Sequence, residues 1–283
     1  MKKHLSTILL LLVLLAGVGL LLYPTASDYW NSFHQSRAIA GYAESVSNLN
    51  ATDYERIWQS AREYNAKLLE RPNPFRVLEE DEAGYNAELN VGSNGIMGYI
   101  EIPDIEVSLP IYHGTSHGVL QVAVGHLQGS SLPVGGPSTH CVLSGHRGLP
   151  SAKLFTDLDD LSEGDIFMLR ILNETLTYEV DQIHIVLPDE MGDLVVREGE
   201  DHCTLITCTP YGINTHRLLV RGKRIETPEA ASSVRITADA VRIDPILVAP
   251  VAAAPMLLVL FIWALAAPGG GKKKKPSGKR VKK

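Results

Sequence analysis

The chain has little cysteine: Cys141, Cys203 and Cys208 are the only three in 283 residues. None belongs to a Cys-x-x-Cys pair or to a Cys/His spacing of the zinc type. A glycine-rich phosphate loop is missing too, and with it the usual signature of nucleotide binding. No internal repeat is visible, and nothing calls for a metal or a cofactor. Positive charge is scarce in the interior. All 32 acidic residues lie between two long apolar runs, against sixteen basic ones. A stretch near −16 lacks the basic face that nucleic-acid binding needs, so no nucleic-acid partner is expected.

The positive charge sits at the ends. Leu5 to Leu22 is an uncharged run of 18 residues, and Ile246 to Ala267 is one of 22. A bilayer core takes roughly 20 apolar residues of helix. Residues 1–22 therefore read as an N-terminal transmembrane anchor and 246–267 as a C-terminal transmembrane helix. Lys2 and Lys3 precede the first run, and the tail 268–283 carries eight Lys or Arg residues. Basic flanks stay cytoplasmic. Both termini are then expected inside the cell and the middle outside it, in a two-pass cell-membrane protein. Pro24-Thr25-Ala26-Ser27 offers small residues for signal cleavage. The first run is longer than the ~7–15 residues of a signal core, which favours an uncleaved anchor. Pro250 and Pro255 would bend the second span without barring it. An odd number of cysteines outside the cell leaves at least one free thiol. Cys141 and Cys203 sit in apolar β-like runs and read as small buried hydrophobes, with a disulfide between them left open.

Residues 23–70 read as a helical stalk or N-terminal helices, whose apolar face calls for the following domain to pack against; a simple stalk above the membrane is the alternative. Thr52-x-x-Glu55 has the form of a capping box. Tyr54, Ile57, Trp58, Ala61, Tyr64 and Leu68 then follow helical spacing on one face. Upstream, Ser27 to Ser47 is also helix-compatible. Arg71-Pro72-Asn73-Pro74-Phe75 breaks the helix, because each proline pushes its predecessor out of the helical region. The polar, acidic stretch Leu78 to Asn94 reads as a long loop, the kind that is functional or disordered. From Ile96 the chain turns to β. Expected strands are Gly98–Ile102, Val107–Tyr112, Cys141–Ser144, Ile166–Leu172, Leu176–Asp181, His184–Leu187, Thr204–Thr207 and Leu218–Arg221. Their spacing suits a sandwich or barrel. Ser151–Leu161 and Asp189–Val196 read as short helical insertions, and the segment from Thr227 to the second apolar run as a polar linker.

Thr204-Leu-Ile-Thr-Cys208-Thr-Pro-Tyr-Gly212 delivers one cysteine from a β-type run into a turn. Nine positions on, Arg217 opens the next apolar run. A thiol and a guanidinium thus stand near facing ends of a hairpin. Reactive cysteines need exposure and a positive neighbour, and a fixed charge can stabilise an oxyanion. Arg221 shares the parity of Arg217, whereas His216 alternates to the other face. A cysteine acyl-transferase also needs a proton carrier, usually histidine. Of the ten histidines, His146 is the best framed, in Leu143-Ser-Gly-His-Arg-Gly148 directly after a strand.

The stretch 204–222 and the segment Leu143-Ser-Gly-His-Arg-Gly-Leu-Pro150 resemble the two signature motifs of sortases, in particular the pilin-polymerising class C. Leu109-Pro-Ile-Tyr-His-Gly114 and Ser131-Leu-Pro-Val-Gly-Gly136 are similar to that class as well, as is the layout with two anchors. The resemblance implies a mainly β fold: an eight-stranded sortase-type β-barrel over 96–226, with N-terminal helices, a lid-like loop over 71–95, a linker over 227–245 and two transmembrane helices. It implies that Cys208 forms an acyl-thioester at the Thr–Gly bond of an LPXTG-like sorting signal. His146 would carry the proton and Arg217 would stabilise the transition state. A pilin lysine would then resolve the thioester, building covalent pili on a Gram-positive cell. The partners implied are pilins or other surface proteins with such a signal. Class C lids carry an Asp-Pro-aromatic motif, and the matching place here reads Asn73-Pro74-Phe75. Phe75 can pack over Cys208, but asparagine cannot form an ion pair with Arg217. A weak latch is therefore expected, with little change in turnover when 71–77 are deleted. Two other functions stay open on the sequence. One is a sortase that anchors single proteins to cell-wall precursor, which a neighbouring pilin gene would argue against. The other is a membrane-tethered peptide-binding barrel with an inert Cys208, which would keep its binding in Cys208→Ala.

Overall fold

The computed structural model describes residues 5–76 and 79–228, all within the first of two compact units, 1–240. The expected linker beyond 228, the second span and the basic tail lie outside the described residues.

Eight strands close into a barrel in the order β1-β2-β3-β4-β7-β8-β6-β5. They are β1 (Ile96–Ile102), β2 (Val107–His113), β3 (Val124–His126), β4 (Thr139–Ser144), β5 (Ile166–Ile171), β6 (Glu174–Val186), β7 (Asp201–Thr209) and β8 (His216–Ile225). Alternation sets the two faces. Cys141 and Leu143 of β4, Cys203 and Leu205 of β7, and Leu218 and Val220 of β8 belong to the main core. Val142 and Leu219, one step out of phase, form a second cluster with Leu194 and Ile206 on the outer face. Each large side chain so buried contributes on the order of 2 kcal/mol.

The strand count is as expected, but its composition differs. Leu176–Asp181 and the expected strand from His184, which ends at Val186 rather than Leu187, belong to one strand, β6, whose register on β8 shifts between Val180 and Gln182. That bulge interrupts the alternation and made one strand read as two. The eighth strand is β3. Its three residues, Val-Gly-His, are too few for a periodic signal, and it forms because β2 pairs with it on one side and β4 on the other. The two helical insertions reduce to single 3₁₀ turns, Leu158–Asp160 and Gly192–Leu194.

Among the described residues four helices accompany the barrel: α1 (Leu5–Ser47), α2 (Ala51–Leu69), α3 (Glu79–Ala87) and α4 (His117–Leu120). The first anchor and the segment after it form one helix that runs through Pro24. Among the described residues α1 alone is long and apolar enough to cross a membrane, with a mean hydropathy of 2.5 in its best window. The helices of 23–70 pack on the barrel. Tyr42 of α1 is buried; its hydroxyl donates to the Met97 carbonyl (3.1 Å) and accepts from the Leu172 amide (2.7 Å). Asn65 of α2 is clamped both ways to the Leu132 backbone, at 3.2 and 2.7 Å. The cap of α2 is Asn50, whose side chain accepts from the Asp53 amide while the Asp53 carboxylate accepts from the Asn50 amide. That capping box replaces the expected Thr52/Glu55 pair. The expected loop at 78–94 contains a helix, α3. It is pinned by Tyr85, a buried side chain whose hydroxyl donates to the His126 carbonyl (3.1 Å) and accepts from the Gly114 amide (2.9 Å).

Candidate active site

Strand pairing brings Cys208 and Arg217 together, and the turn after β4 carries His146 to the same end of the barrel. Cys208 of β7 lies directly opposite Arg217 of β8 in the antiparallel ladder. On the other side, β4 runs parallel to β7, with Ser144 paired to Ile206. Gly145 continues that ladder by donating its amide to the Ile206 carbonyl at 3.0 Å. The Thr207 hydroxyl in turn donates to the Gly145 carbonyl at 2.9 Å. Cys208 and Arg217 therefore stand side by side on β7 and β8 at one end of the barrel, on the parity of its outer face, and His146 follows two residues after the end of β4 at that same end.

Local structure holds each of the three. Gly145 has to be glycine, because a Cβ there would stand 2.6 Å from the Phe155 ring. The same turn is closed by the Phe155 amide, which donates to the His146 carbonyl at 3.1 Å. Burial, and then His117, hold the His146 imidazole below its ordinary pKa of 6.5, which favours the neutral ring. Arg217 donates to the carbonyls of Asn214 (3.2 Å) and His216 (3.0 Å), which fixes its guanidinium against the β7–β8 loop. Tyr211 of that loop lies against Gly148 and under the Arg147 guanidinium, 5.7 Å from the ring centre. The loops carrying His146 and Arg217 are thereby tied together.

Cys208 is the partly exposed thiol, whereas Cys141 and Cys203 are buried. Those two are free and lie opposite one another on β4 and β7, inside the barrel. Arg221, which shares the parity of Arg217, is committed to a bidentate pair with Asp181 at 2.9 and 2.8 Å.

The segment expected to act as a lid, Asn73-Pro74-Phe75, is seated against the barrel. Phe75 packs with Leu127, Val186, Met191 and Ile206 against the outer-face cluster of Val142, Leu194 and Leu219. Ile206 and Leu219 stand two residues from Cys208 and Arg217, so the aromatic ring packs on the strip of sheet beside that pair. Asn73 makes no side-chain hydrogen bond among the described residues. The segment is held instead by Phe75 and by a bidentate pair between Arg71 and Asp81 at 2.7 and 3.0 Å. Gly129 receives it: with φ +97°, a Cβ there would lie 2.4 Å from the Pro74 carbonyl oxygen and 2.8 Å from the Phe75 Cα. Neither Gly129 nor the receiving residues carry a signal in the sequence. A separate cavity between α2 and the far end of the barrel, lined by Asn65, Gly136 and Arg224, touches none of Cys208, Arg217 and His146.

A closed eight-stranded barrel with a partly exposed thiol opposite a guanidinium, and an imidazole at the same end, fits a cysteine acyl-transferase. The model of the sortase domain matches residues 100–225. Sortase D of Bacillus subtilis (strain 168) is 30% identical over 148 residues, which cover 51% of this chain and 72% of that protein. The crystal structure of sortase C1 from Streptococcus agalactiae is similar with a TM-score of 0.66 at 52% identity, covering 68% of this chain and all of that one. Streptococcus pneumoniae sortase C gives a TM-score of 0.58 at 42% identity, over 67% of this chain and 97% of that one. The chain belongs to the sortase family, whose members are cysteine transpeptidases, and its likeness lies with the class C sortases.

Proposed function

We propose that the protein cleaves an LPXTG-like sorting signal between Thr and Gly and joins the acyl group to a lysine of a pilin subunit. The observation that carries this reading is the partly exposed Cys208 opposite Arg217, with His146 on the turn after β4 at the same end. The neutral His146 imidazole takes the proton of the Cys208 thiol, and the thiolate so formed attacks the threonine carbonyl carbon. Arg217 stabilises the oxyanion that forms, a contribution of about 3 kcal/mol per donor. The carbon–nitrogen bond then breaks, the glycine amine leaves with a proton from His146, and a thioester remains on Cys208. A lysine amine attacks the thioester, gives its proton to His146, and releases the thiolate with an isopeptide bond formed. Pilin substrates are supported by the likeness to Streptococcus pneumoniae sortase C, whose structure was described for its pilin substrate specificity. Asn73, Pro74 and Phe75 act as the lid. The two spans, the cytoplasmic termini and the extracellular domain belong to the same reading, supported by the apolar α1 and by the basic flanks in the sequence.

The test is incubation of the full chain with a purified pilin, followed by mass mapping of the products. A Thr–Lys isopeptide that disappears in Cys208→Ala is expected. Transfer only to a cell-wall precursor amine would replace polymerisation by single-protein anchoring. Peptide binding that survives in Cys208→Ala, without any cleavage by the parent chain, would overturn the enzymatic reading.

A further inference from the structure

The membrane helix is bolted to the catalytic end of the barrel. Three hydrogen bonds fix it there. The Asp28 carboxylate accepts from the Lys153 amide at 2.7 Å. The Asn31 side chain donates to the Ser151 carbonyl at 2.7 Å. The Gln35 side chain donates to the Val122 carbonyl at 2.7 Å. Ser151 and Lys153 belong to the loop that leaves His146. Asp28, Asn31, Gln35 and Tyr42 follow helical spacing on one face of α1. Tyr42, further along that face, reaches the Met97 carbonyl and the Leu172 amide, at the opposite end of β1 and β5. Going back along α1 from Tyr42 to Asp28, the helix thus climbs from the far end to the catalytic rim. Its apolar run then continues past that rim. Leu22 is six residues beyond Asp28, about 9 Å along a helix. Pro24 can bend this junction, but it does not change the end of the barrel from which the span departs.

The opposite face of the same stretch is aromatic and unpartnered by the barrel. Tyr23, Tyr29, Trp30 and Phe33 are 57%, 56%, 64% and 50% exposed. Tyr and Trp just outside an apolar span are the side chains that settle at the headgroup level of a bilayer. The barrel's own exposed hydrophobics gather at the same end. Val122 lies beside Gln35, Tyr211 and Ile213 are in the β7–β8 loop, and Ile185 and Leu187 stand at the end of β6; only Leu69 and Val195 lie elsewhere among the described residues.

We infer that the catalytic end of the barrel rests against the lipid headgroup layer, with Tyr29, Trp30, Phe33, Tyr211 and Ile213 as its membrane-facing contacts. The occupant of this surface is phospholipid, because the aromatic stripe is continuous with the span of one unbroken helix. The inference rests on the reading of α1 as a membrane anchor and of the residues around Cys208 as the active site. Its consequence is spatial: Cys208 works at the membrane surface, where substrates still tethered to the bilayer present their cleavage sites. The other end of the barrel points away, about 30 Å further out for a strand of the length of β7.

Depth measurement in liposomes of the full chain tests it. In a Cys208→Ala chain, Cys141 and Cys203 are buried, so a fluorophore can be placed singly at Ile213→Cys, Val122→Cys or Glu174→Cys. Lipids spin-labelled at the headgroup are expected to quench the first two strongly and the third, on the β5–β6 hairpin at the far end, several-fold less. Equal quenching at both ends, or the reverse order, overturns the orientation. In the triple variant Tyr29→Ser, Trp30→Ser, Phe33→Ser, quenching at Ile213→Cys is expected to fall. Quenching that persists undiminished assigns the aromatics to a protein partner and overturns the lipid assignment. Cleavage of a soluble sorting peptide by the unlabelled chain reports separately on the transpeptidase reading, so failure of either leaves the other measurable.

Discussion

Cys208 and Arg217 face one another across the β7–β8 ladder, and the Arg217 guanidinium is steadied by two loop carbonyls. A guanidinium so fixed adds to catalysis by meeting charge that develops in the transition state. Arg217→Ala is expected to lower kcat for peptide cleavage by about 10²–10³ with a small change in KM. Arg217→Lys is expected to recover only part of this, because a point charge on a flexible stem does not reproduce the planar fork. The melting temperature should barely move in either variant, since Arg217 makes no ion pair among the described residues. Full activity in Arg217→Lys, measured with a soluble sorting peptide, would reduce Arg217 to a bulk charge.

On the proposed reading of residues 73–75 as a lid, the segment is held by packing rather than by a side-chain latch. Phe75 sits in the outer-face cluster, and the Pro74–Phe75 backbone rests on Gly129. Removing the ring forfeits on the order of 2 kcal/mol of burial, which favours an open lid by a factor of about 10 to 30. Phe75→Ala is expected to speed alkylation of Cys208 by a small-thiol reagent up to that factor. Gly129→Ala should act in the same direction without touching Phe75, because the added Cβ evicts the lid backbone. Unchanged alkylation in both variants would mean that the lid does not cover the thiol.

The hairpin carrying Cys208 and Arg217 was legible because its register depends on a short local turn. The place of His146 was legible only as a motif. Bringing it to the Cys208 end of the barrel takes the parallel pairing of β4 with β7, two strands far apart in sequence, and no local pattern specifies such a pairing. β3 and Gly129 were not legible for the same reason: each is defined by what packs onto it. The start of α2 shows a different limit. Asn50-x-x-Asp53 and Thr52-x-x-Glu55 both have the form of a capping box, and only the extended backbone of Asn50 (φ −91°, ψ 171°) decides between them. Asn50→Ala is expected to cost about 1 kcal/mol, a fall of roughly 2–4 °C in Tm. Thr52→Ala should stay within about 0.5 kcal/mol of the parent. The opposite ranking in thermal melts would restore the pair expected from the sequence.

His140 sets a pH limit on the barrel. It lies buried on the outer face, beneath the 3₁₀ turn of the β6–β7 connection. Its Nδ1 meets the Val195 carbonyl at 3.1 Å, and a carbonyl can only accept, so Nδ1 carries the proton. Nε2 then accepts from the Thr204 hydroxyl at 2.7 Å. The neutral ring satisfies both contacts, and a second proton would set Nε2–H against that hydroxyl. Burial pushes the pKa from 6.5 to about 4, with the neighbouring His202 and Arg221 adding to the effect. The folded value is below the unfolded one, so the stabilisation is full above pH 6.5 and is lost as the pH falls toward 4. At pH 5 the unfolded chain already binds the proton that the folded chain refuses, a loss of roughly 2 kcal/mol. Urea unfolding at pH 7 and pH 5 should show that loss, with a further share from His202, whose pKa burial also lowers. His140→Gln keeps a donor for Val195 and an acceptor for Thr204 but has no proton to take up. It is expected to flatten the profile between pH 6.5 and 5, where few carboxylates titrate. A slope equal to that of the parent chain would place the acid sensitivity on other groups.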